Sequence, residues 1–213
     1  MKPPDRPFLI AITGAIASGK SLASNWFRSQ GYQVVSTDKI AHTILDDPDI
    51  SRKIRDHFGD GVCLEGRIDR KLLGKVIFSE KRHQQWLNRL IHPQVFKEMD
   101  SIIREAEADY LIFEVPLLFE SGLERCFDLI MNIDAEEEIL INRITARDRI
   151  SESEARLKLA SQLAPVQKAR LADVNINNNG SVEMLEVQLK ELFKNLPYYD
   201  FRRVIKPGDL IQA

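Results

Sequence analysis

The chain contains few cysteines, and their scarcity limits its chemistry. Only Cys63 and Cys126 occur among its 213 residues, and they lie far apart. Neither a C-x-x-C pair nor a zinc-ligand spacing can be built from them. The sequence therefore favours a reducing, cytoplasmic compartment over an oxidising one.

The chain also lacks an excess of charge and a long apolar run. Its net charge of −2 gives no general reason to expect a nucleic acid or an acidic membrane surface as a partner. The apolar stretch YLIFEVPLLF is interrupted by Glu114 and Pro116, so no run is long enough to cross a membrane. The segment from Phe8 to Ala17 only weakly resembles a secretory signal, because three prolines and Asp5 precede it.

Short apolar runs alternate with helical patterns along the chain. FLIAIT, YLIFEV and DLIMNI are almost continuously apolar, which is typical of strands buried on both faces of a parallel sheet. Two weaker runs complete a set of five predicted strands, at residues 8–13, 33–36, 110–115, 128–133 and 173–176. The alternation predicts an α/β fold with a mostly parallel sheet and helices on both faces.

Two pairs of residues have the spacing of a helix-capping box. Asp134 precedes Glu137 by three positions, and Ser151 precedes Glu154 in the same way. In a capping box, the first side chain and the third helical side chain satisfy each other's backbone N–H groups. A helix is therefore predicted to start after Asp134 and another after Ser151.

Two helical regions interrupt the alternation of strands and helices. Residues 39–109 contain no good strand and predict short helices after Asp47-Pro48, Asp69, Ser79 and His92-Pro93. Residues 143–172 form a second helical insertion. We therefore expect a core of residues 1–38, 110–142 and 173–196, two helical insertions at 39–109 and 143–172, and a tail of unassigned structure at 197–213.

The stretch GAIASGKS, residues 14–21, fits the pattern G-x-x-x-x-G-K-[ST] and is called the phosphate loop below. It lies between a predicted strand and a predicted helix, as this motif requires, so its backbone N–H groups can face phosphate oxygens at the positive end of the helix. Lys20 can reach the β- and γ-phosphates, and the Ser21 hydroxyl can ligate Mg²⁺. The alternative is a glycine turn that binds nothing. The residues predicted to contact the nucleotide are Gly14, Ala15, Ile16, Ala17, Ser18, Gly19, Lys20, Ser21 and Leu22.

A phosphate loop alone does not distinguish a kinase from a switch GTPase or a motor ATPase. A switch GTPase needs a base-reading N-K-x-D motif, which this sequence lacks. A motor ATPase is usually longer and receives an arginine from a neighbouring subunit. The sequence therefore favours a kinase.

Seven strings follow one another along the chain: ITGAIASGKS, VVSTDKIAH, IDRKLLGKVIF, LIHPQV, EVPLLFESGL, RITARD and NINNNG. They occur in the order found in dephospho-coenzyme A kinases, and the chain resembles that family from Phe8 to about Leu196. The strings VPLLFESGL and LIHP are much more specific than the glycine loop.

This resemblance implies a fold and an activity. The fold is a P-loop nucleoside-triphosphate hydrolase-like core with a five-stranded sheet, in which residues 39–109 are a helical coenzyme-A-substrate lobe and residues 143–172 a lid. The activity is phosphorylation of the ribose 3′-hydroxyl of dephospho-coenzyme A by Mg-ATP, the last step of coenzyme A synthesis.

The sequence departs from the family pattern at four positions. Ala15 and Ala17 replace the usual glycines, Leu22 replaces a threonine, and Asn177 replaces an aspartate. An alanine adds only a methyl group, so we expect the loop to keep its shape provided that φ is negative at both positions. The aspartate-to-Asn177 change puts any role of that side chain in doubt.

Asp38 follows the second predicted strand, at the carboxyl end where open α/β sheets bind ligands. A carboxylate there can accept or orient the proton of an attacking hydroxyl. The resemblance implies that it faces the acceptor. The alternative is an N-cap for the helix KIAHTIL, a role that aspartate performs well.

Arg143 and Arg147 are four positions apart and share a helix face. Like charges at this spacing disfavour a helix slightly, and no acidic residue lies three or four positions from either arginine. The pattern favours an anion from outside the helix, and the resemblance implies the phosphates of ATP. A solvated face or a tertiary ion pair is the alternative.

Four further residues are candidates of lower specificity. Glu114 ends the third predicted strand, where P-loop proteins often place a carboxylate near Mg²⁺, and the alternative is a buried ion pair. Asn178 leaves the fifth predicted strand, where such kinases contact adenine, and a turn asparagine is the alternative. His92 and Glu120 belong to the family strings, but their residue types indicate no particular chemistry.

Three hypotheses for function remain open from the sequence. The first is a dephospho-coenzyme A kinase, the second a kinase of another small acceptor such as a nucleoside, and the third a nucleotide-sensing binding module without catalysis. The length of the insertion at 39–109 and the string VPLLFESGL favour the first. We expect a monomer or weak homo-oligomer that binds neither nucleic acid nor membrane.

Overall fold

The computed structural model describes residues 6–202 and 204–211, which divide into two units. Within that description, one unit contains residues 6–36 and 103–205, and the other contains residues 37–102 and 206–211. The residues predicted as a lid, 143–172, belong to the first unit in this division. The finer division into core, lobe and lid stays a prediction.

The described chain contains seven strands, and five of them form one parallel sheet in the first unit. The order across this sheet is β2-β5-β1-β6-β7. Both the number of strands and their direction confirm the sequence prediction. The strands are β1 (Phe8–Gly14), β2 (Gln33–Ser36), β3 (Cys63–Leu64), β4 (Arg67–Ile68), β5 (Tyr110–Glu114), β6 (Leu129–Asp134) and β7 (Val174–Asn177).

Nine α-helices occur in the described residues, and several of them follow one another without a strand between them, as the two predicted helical insertions require. Helix α5 runs through residue 102, where the division between the units falls. The helices are α1 (Lys20–Ser29), α2 (Thr37–Leu45), α3 (Pro48–Phe58), α4 (Arg70–Ser79), α5 (Lys81–Glu105), α6 (Glu137–Asp148), α7 (Glu152–Ala160), α8 (Pro165–Leu171) and α9 (Val182–Asn195). None of these described helices is long and apolar enough to cross a membrane.

Strand β1 lies at the centre of the sheet, and all seven of its residues are buried. On one face of the sheet, its isoleucines pack with α1 and α9 through Phe27, Leu185 and Leu189. A second apolar cluster joins α6 and α7 through residues such as Ile144 and Leu159, and it also includes Ala15 of the phosphate loop. The loop is therefore attached to buried structure through β1, α1 and this second cluster.

Phe201 and Arg202, from the tail that the sequence left unassigned, pack at the amino ends of the strands. Asp128 is 1% exposed and accepts hydrogen bonds from the backbone N–H groups of Leu9 and Arg202. The Arg6 guanidinium pairs with the same carboxylate at 2.6 Å. The ring of Phe201 meets that of Phe8 edge to face. These contacts lie at the end of the sheet opposite to the phosphate loop.

In the second unit, helices α3 and α4 begin where the sequence predicts them. Asp47 and Asp69 are their N-caps, and each carboxylate accepts two backbone N–H groups of the first turn. The prediction of no strand in this region was wrong in one detail, because β3 and β4, each of two residues, form an antiparallel hairpin. Two residues per strand are too few for a period to be read from sequence.

The prediction of a helix boundary at Pro93 was wrong, because Pro93 lies inside α5. Proline removes one backbone hydrogen bond, at a cost of about 3 kcal/mol in a helix interior. Buried residues on both sides of it, including Ile91, Val95 and Met99, continue the same helix. His92 precedes it in α5, and burial lowers the pKa of its imidazole.

One of the two predicted capping boxes is confirmed and the other is wrong. Ser151 accepts a hydrogen bond from the Glu154 backbone, and the Glu154 carboxylate accepts from the Ser151 backbone. Asp134 instead continues β6, where it pairs in register with Asn177. Helix α6 begins after Glu136, whose backbone N–H donates to the Asn179 side chain. No side chain of the described residues caps the first turn of α6, and Asn179, from beyond β7, accepts only the N–H of the N-cap residue Glu136.

Candidate active site

The phosphate loop joins β1 to α1 and requires glycine at both of its fixed positions. Gly14 has φ of 149° and Gly19 has φ of 104°. A Cβ atom on Gly14 would collide with the Ile133 carbonyl oxygen of β6 and with the Ser18 Oγ atom, which would lie 2.6 Å away. A Cβ atom on Gly19 would overlap the side-chain amide of Asn178. The glycines thus allow the loop to fold closely against β6 and the residues after β7.

The two alanines of the loop were expected to preserve its shape provided that φ is negative at both positions. Ala17 does not meet this condition. Its φ is 63°, in the left-handed region that favours glycine, whereas Ala15 has no such conformation. This conformation costs a residue with a Cβ atom about 1–2 kcal/mol. Because the loop adopts this conformation, we infer that the surrounding contacts offset the strain.

Replacing Ala17 with glycine is expected to stabilise the protein by up to about 1 kcal/mol, because relief of the left-handed strain exceeds the extra backbone entropy of glycine. The measurement is urea unfolding without nucleotide. Ala15→Gly is the control without strain relief, since it adds the same entropy and removes a buried methyl group, and it should lower stability. Equal losses in the two variants would contradict the account.

Lys20 is held at the phosphate loop by the loop itself. Its Nζ atom donates to the carbonyl oxygens of Ala15 at 2.8 Å and of Gly14 at 3.1 Å. Lys20 as a whole is only 9% exposed. The carbonyl oxygens of the loop therefore hold the ammonium beside the loop, where the sequence predicts it.

Ser21 and Glu114 are brought together although 93 residues separate them. The Ser21 hydroxyl donates to Glu114 Oε1 at 3.0 Å, and Glu114 is 9% exposed. Hydroxyl and carboxylate oxygens are ligands that Mg²⁺ prefers, so this pair fits the ion. No cluster of three or more His, Cys, Asp or Glu suited to a metal occurs among the described residues. Mg²⁺ usually needs no such cage, because substrate phosphates and water complete its shell.

The structure distinguishes the two arginines that the sequence leaves equal. Arg143 reaches the phosphate loop, where its guanidinium donates to Asn178 O at 2.8 Å and to Ala17 O at 3.5 Å. Arg147 instead forms two hydrogen bonds with the adjacent Asp148. Arg147 and then Lys158 hold the pKa of that carboxyl well below its usual range. Arg147 therefore has an acidic partner one position away, although none lies three or four positions from it.

Asn178 lies beneath the phosphate loop. It is 3% exposed, and its side-chain amide donates to the Ser18 carbonyl at 2.6 Å. Its observed contact supports the loop, and the predicted contact with adenine stays a prediction. The neighbouring Asn177 uses its side-chain oxygen to accept the Asn179 backbone N–H, which an aspartate could also do.

Asp38 lies in the first turn of α2, which begins at Thr37. It is therefore a helical residue and not the N-cap considered from sequence. Ser36, two residues earlier, pairs in register with Glu114 at the carboxyl end of the sheet. The predicted role of Asp38 toward an acceptor hydroxyl stays a prediction.

Gln162 contacts the phosphate loop, and the sequence analysis missed it. Its Oε1 atom accepts a hydrogen bond from the Ile16 backbone N–H at 3.1 Å, across 146 positions of sequence. A lone glutamine between two helices has no local pattern that indicates such a contact. Only its position in the second helical insertion could have suggested it.

The chain combines a parallel sheet with a glycine loop between β1 and α1, and a lysine, a hydroxyl, a carboxylate and an arginine lie at that loop. This combination defines a P-loop kinase of small molecules. Other kinases share the fold, including shikimate kinase from Acinetobacter baumannii, with a TM-score of 0.52 at 13% identity and coverage of 92% of this chain and 96% of that one.

The sequence model of the dephospho-CoA kinase family matches residues 8–184, and the chain belongs to that family. A dephospho-CoA kinase from Fusobacterium nucleatum is 36% identical over 83% of this chain and 92% of its own length. The corresponding protein from Carboxydothermus hydrogenoformans is 34% identical over 92% and 97%. The solved dephospho-CoA kinase of Campylobacter jejuni has a TM-score of 0.64 at 29% identity, with coverage of 88% and 96%. The family carries out the last step of coenzyme A biosynthesis.

Proposed function

We propose that this enzyme transfers the γ-phosphoryl group of Mg-ATP to the ribose 3′-hydroxyl of dephospho-coenzyme A, in the cytoplasm and as a monomer or weak homo-oligomer. The contact between Ser21 and Glu114 carries the Mg-ATP part of the proposal furthest, because it places the last hydroxyl of the phosphate loop beside the carboxylate that ends β5. Membership of the dephospho-CoA kinase family supports the acceptor. An ordinary glycine turn between a strand and a helix has no need of such a pair.

The phosphate loop binds the triphosphate through its backbone N–H groups and the amino end of α1. Lys20 adds a positive charge toward the β- and γ-phosphates. The carbonyl oxygens of Gly14 and Ala15 that its ammonium contacts are neutral acceptors, so phosphate oxygens can replace them with stronger, charge-assisted bonds. The loop therefore orients the γ-phosphoryl group and needs little reorganisation to do so.

Ser21 and Glu114 would hold Mg²⁺, Ser21 directly and Glu114 directly or through water. When bound, the ion neutralises charge on the β- and γ-phosphates. Glu114 also fixes the Ser21 hydroxyl before a metal arrives, because it accepts the hydroxyl's hydrogen bond at 3.0 Å. This leaves the oxygen lone pairs of Ser21 available for ligation.

Asp38 would orient the 3′-hydroxyl and accept its proton as the hydroxyl attacks. Family membership supports this role, together with its place two residues after the end of β2. Carboxyl ends of parallel strands are where open α/β sheets bind their ligands.

Arg143→Ala is expected to lower kcat about 10²-fold while weakening ATP binding much less, because a guanidinium beside the phosphate loop stabilises charge that develops on the transferring phosphoryl group. Arg147→Ala is the matched variant on the same helix, and it loses only an exposed ion pair with Asp148. We expect Arg147→Ala to lower kcat by less than about fivefold.

Steady-state kinetics give kcat of both arginine variants, and direct binding experiments give their affinity for ATP. Thermal unfolding checks that each variant is folded. A structural Arg143 would instead lower the unfolding temperature and leave kcat per folded molecule intact. A larger loss of kcat in Arg147→Ala would reverse the ranking.

An ADP-release assay with and without dephospho-coenzyme A tests the proposed function. Rapid ADP formation that depends on the acceptor, with one phosphorylated product per ADP, is the expected result. Tight ATP binding without acceptor-dependent ADP formation would contradict the proposal.

A further inference from the structure

The connection between α7 and α8, residues 161–164, contacts the phosphate loop next to its strained residue. Gln162 Oε1 accepts the Ile16 backbone N–H at 3.1 Å, immediately before the left-handed Ala17. On the other side of that residue, the Ala17 carbonyl accepts from Arg143 at 3.5 Å. The strained turn is thus held between two side chains that come from outside the loop.

The Ile16 N–H has a protein acceptor in Gln162, through a part-buried contact. A backbone N–H group that is neither solvated nor bonded is costly, so nearly all such groups in folded proteins are paired. By accepting this hydrogen bond, the Gln162 oxygen fixes the direction of the peptide plane between Ala15 and Ile16. The orientation of this plane sets where the following loop N–H groups can point.

Glu120 holds the connection that carries Gln162. Its carboxylate accepts the Leu163 backbone N–H at 2.9 Å and pairs with Lys168 of α8. The Lys168 side chain is fully buried and also donates to the Pro116 carbonyl at 2.8 Å. A buried ammonium needs such partners, so the contacts of Lys168 with Glu120 and Pro116 fix α8 against the segment that follows β5. Pro116 and Glu120 lie in the segment that follows β5.

We propose that Gln162 is a positioning residue that keeps the phosphate loop in its ATP-binding shape, and that Glu120 acts through Gln162 by fixing the α7–α8 connection. The proposal rests on the proposed function, since it assigns both residues a role in ATP binding that is exerted through the loop. It also gives Glu120, within the string VPLLFESGL, a physical task that its residue type alone does not indicate.

The first test is Gln162→Met, which keeps the length of the side chain but removes the acceptor. We expect the Kd of Mg-ATP to rise about tenfold, as for loss of one well-placed hydrogen bond, with KM for dephospho-coenzyme A unchanged. Gln167→Met, at an exposed position of α8, is the matched control and should leave the Kd unchanged. An unchanged Kd in Gln162→Met, with only a lower unfolding temperature, would overturn the proposal.

The second test asks whether Glu120 acts through Gln162. Glu120→Gln keeps an acceptor for the Leu163 N–H but weakens the hold on Lys168, and we expect it to weaken ATP binding less than Gln162→Met does. In the double variant the two effects on Kd should be less than additive. Full additivity would overturn the coupling. Because Kd is measured without acceptor, the result stands whichever acceptor the enzyme phosphorylates.

Discussion

Lys20→Ala should lower kcat by about 10³-fold, the loss expected when a preorganised group that meets transition-state charge is removed. The Lys20 ammonium is already held at the mouth of the phosphate loop by two carbonyl oxygens, and alanine leaves nothing in its place. Steady-state kinetics at saturating Mg-ATP, with thermal unfolding to confirm the fold, measure the effect.

The control for this variant is Lys190→Ala, which removes an exposed lysine of α9 and the same formal charge. It should change neither the rate nor the unfolding temperature appreciably. A normal rate in Lys20→Ala at saturating ATP would rule out the phosphate-binding role of the loop.

Asp38→Asn should keep ATP affinity but lower kcat by about 10²- to 10⁴-fold, the range that general base catalysis usually contributes. Asparagine has the shape of aspartate but cannot take the proton of the acceptor hydroxyl. Asp38 lies in the first turn of α2, so the substitution also removes a favourable interaction with the helix dipole, worth about 0.3–1 kcal/mol.

Asp49→Asn separates catalysis from this helix effect, because Asp49 is an acidic residue in the first turn of α3. It should cost similar stability and leave kcat unchanged. If Asp38→Asn retained near-normal kcat, Asp38 would be an ordinary acidic residue of a helix start and nothing more.

The features predicted well from sequence are those that local residue patterns determine. The strands were found because a parallel strand buried on both faces is continuously apolar, as β1 is. The cap at Ser151 was found because both partners lie within four positions. The glycine–lysine–serine spacing likewise placed the phosphate loop between β1 and α1.

The features that the sequence could not provide depend on contacts between distant residues. The helix α5 continues through Pro93 because buried neighbours stabilise it. The left-handed φ of Ala17 depends on the loop as a whole. The ranking of Arg143 over Arg147 requires knowing that Arg143 reaches the carbonyl of Asn178, 35 positions away.

The central claim is the identity of the acceptor, and a parallel assay of several acceptors tests it most directly. The pure protein is incubated with Mg-ATP and, separately, with dephospho-coenzyme A, adenosine, AMP, CMP and shikimate. ADP formation is followed, and mass spectrometry with fragmentation locates the new phosphate. The account predicts turnover of dephospho-coenzyme A and a product phosphorylated on the ribose 3′-hydroxyl. Turnover of a nucleoside or nucleotide with none of dephospho-coenzyme A would contradict it.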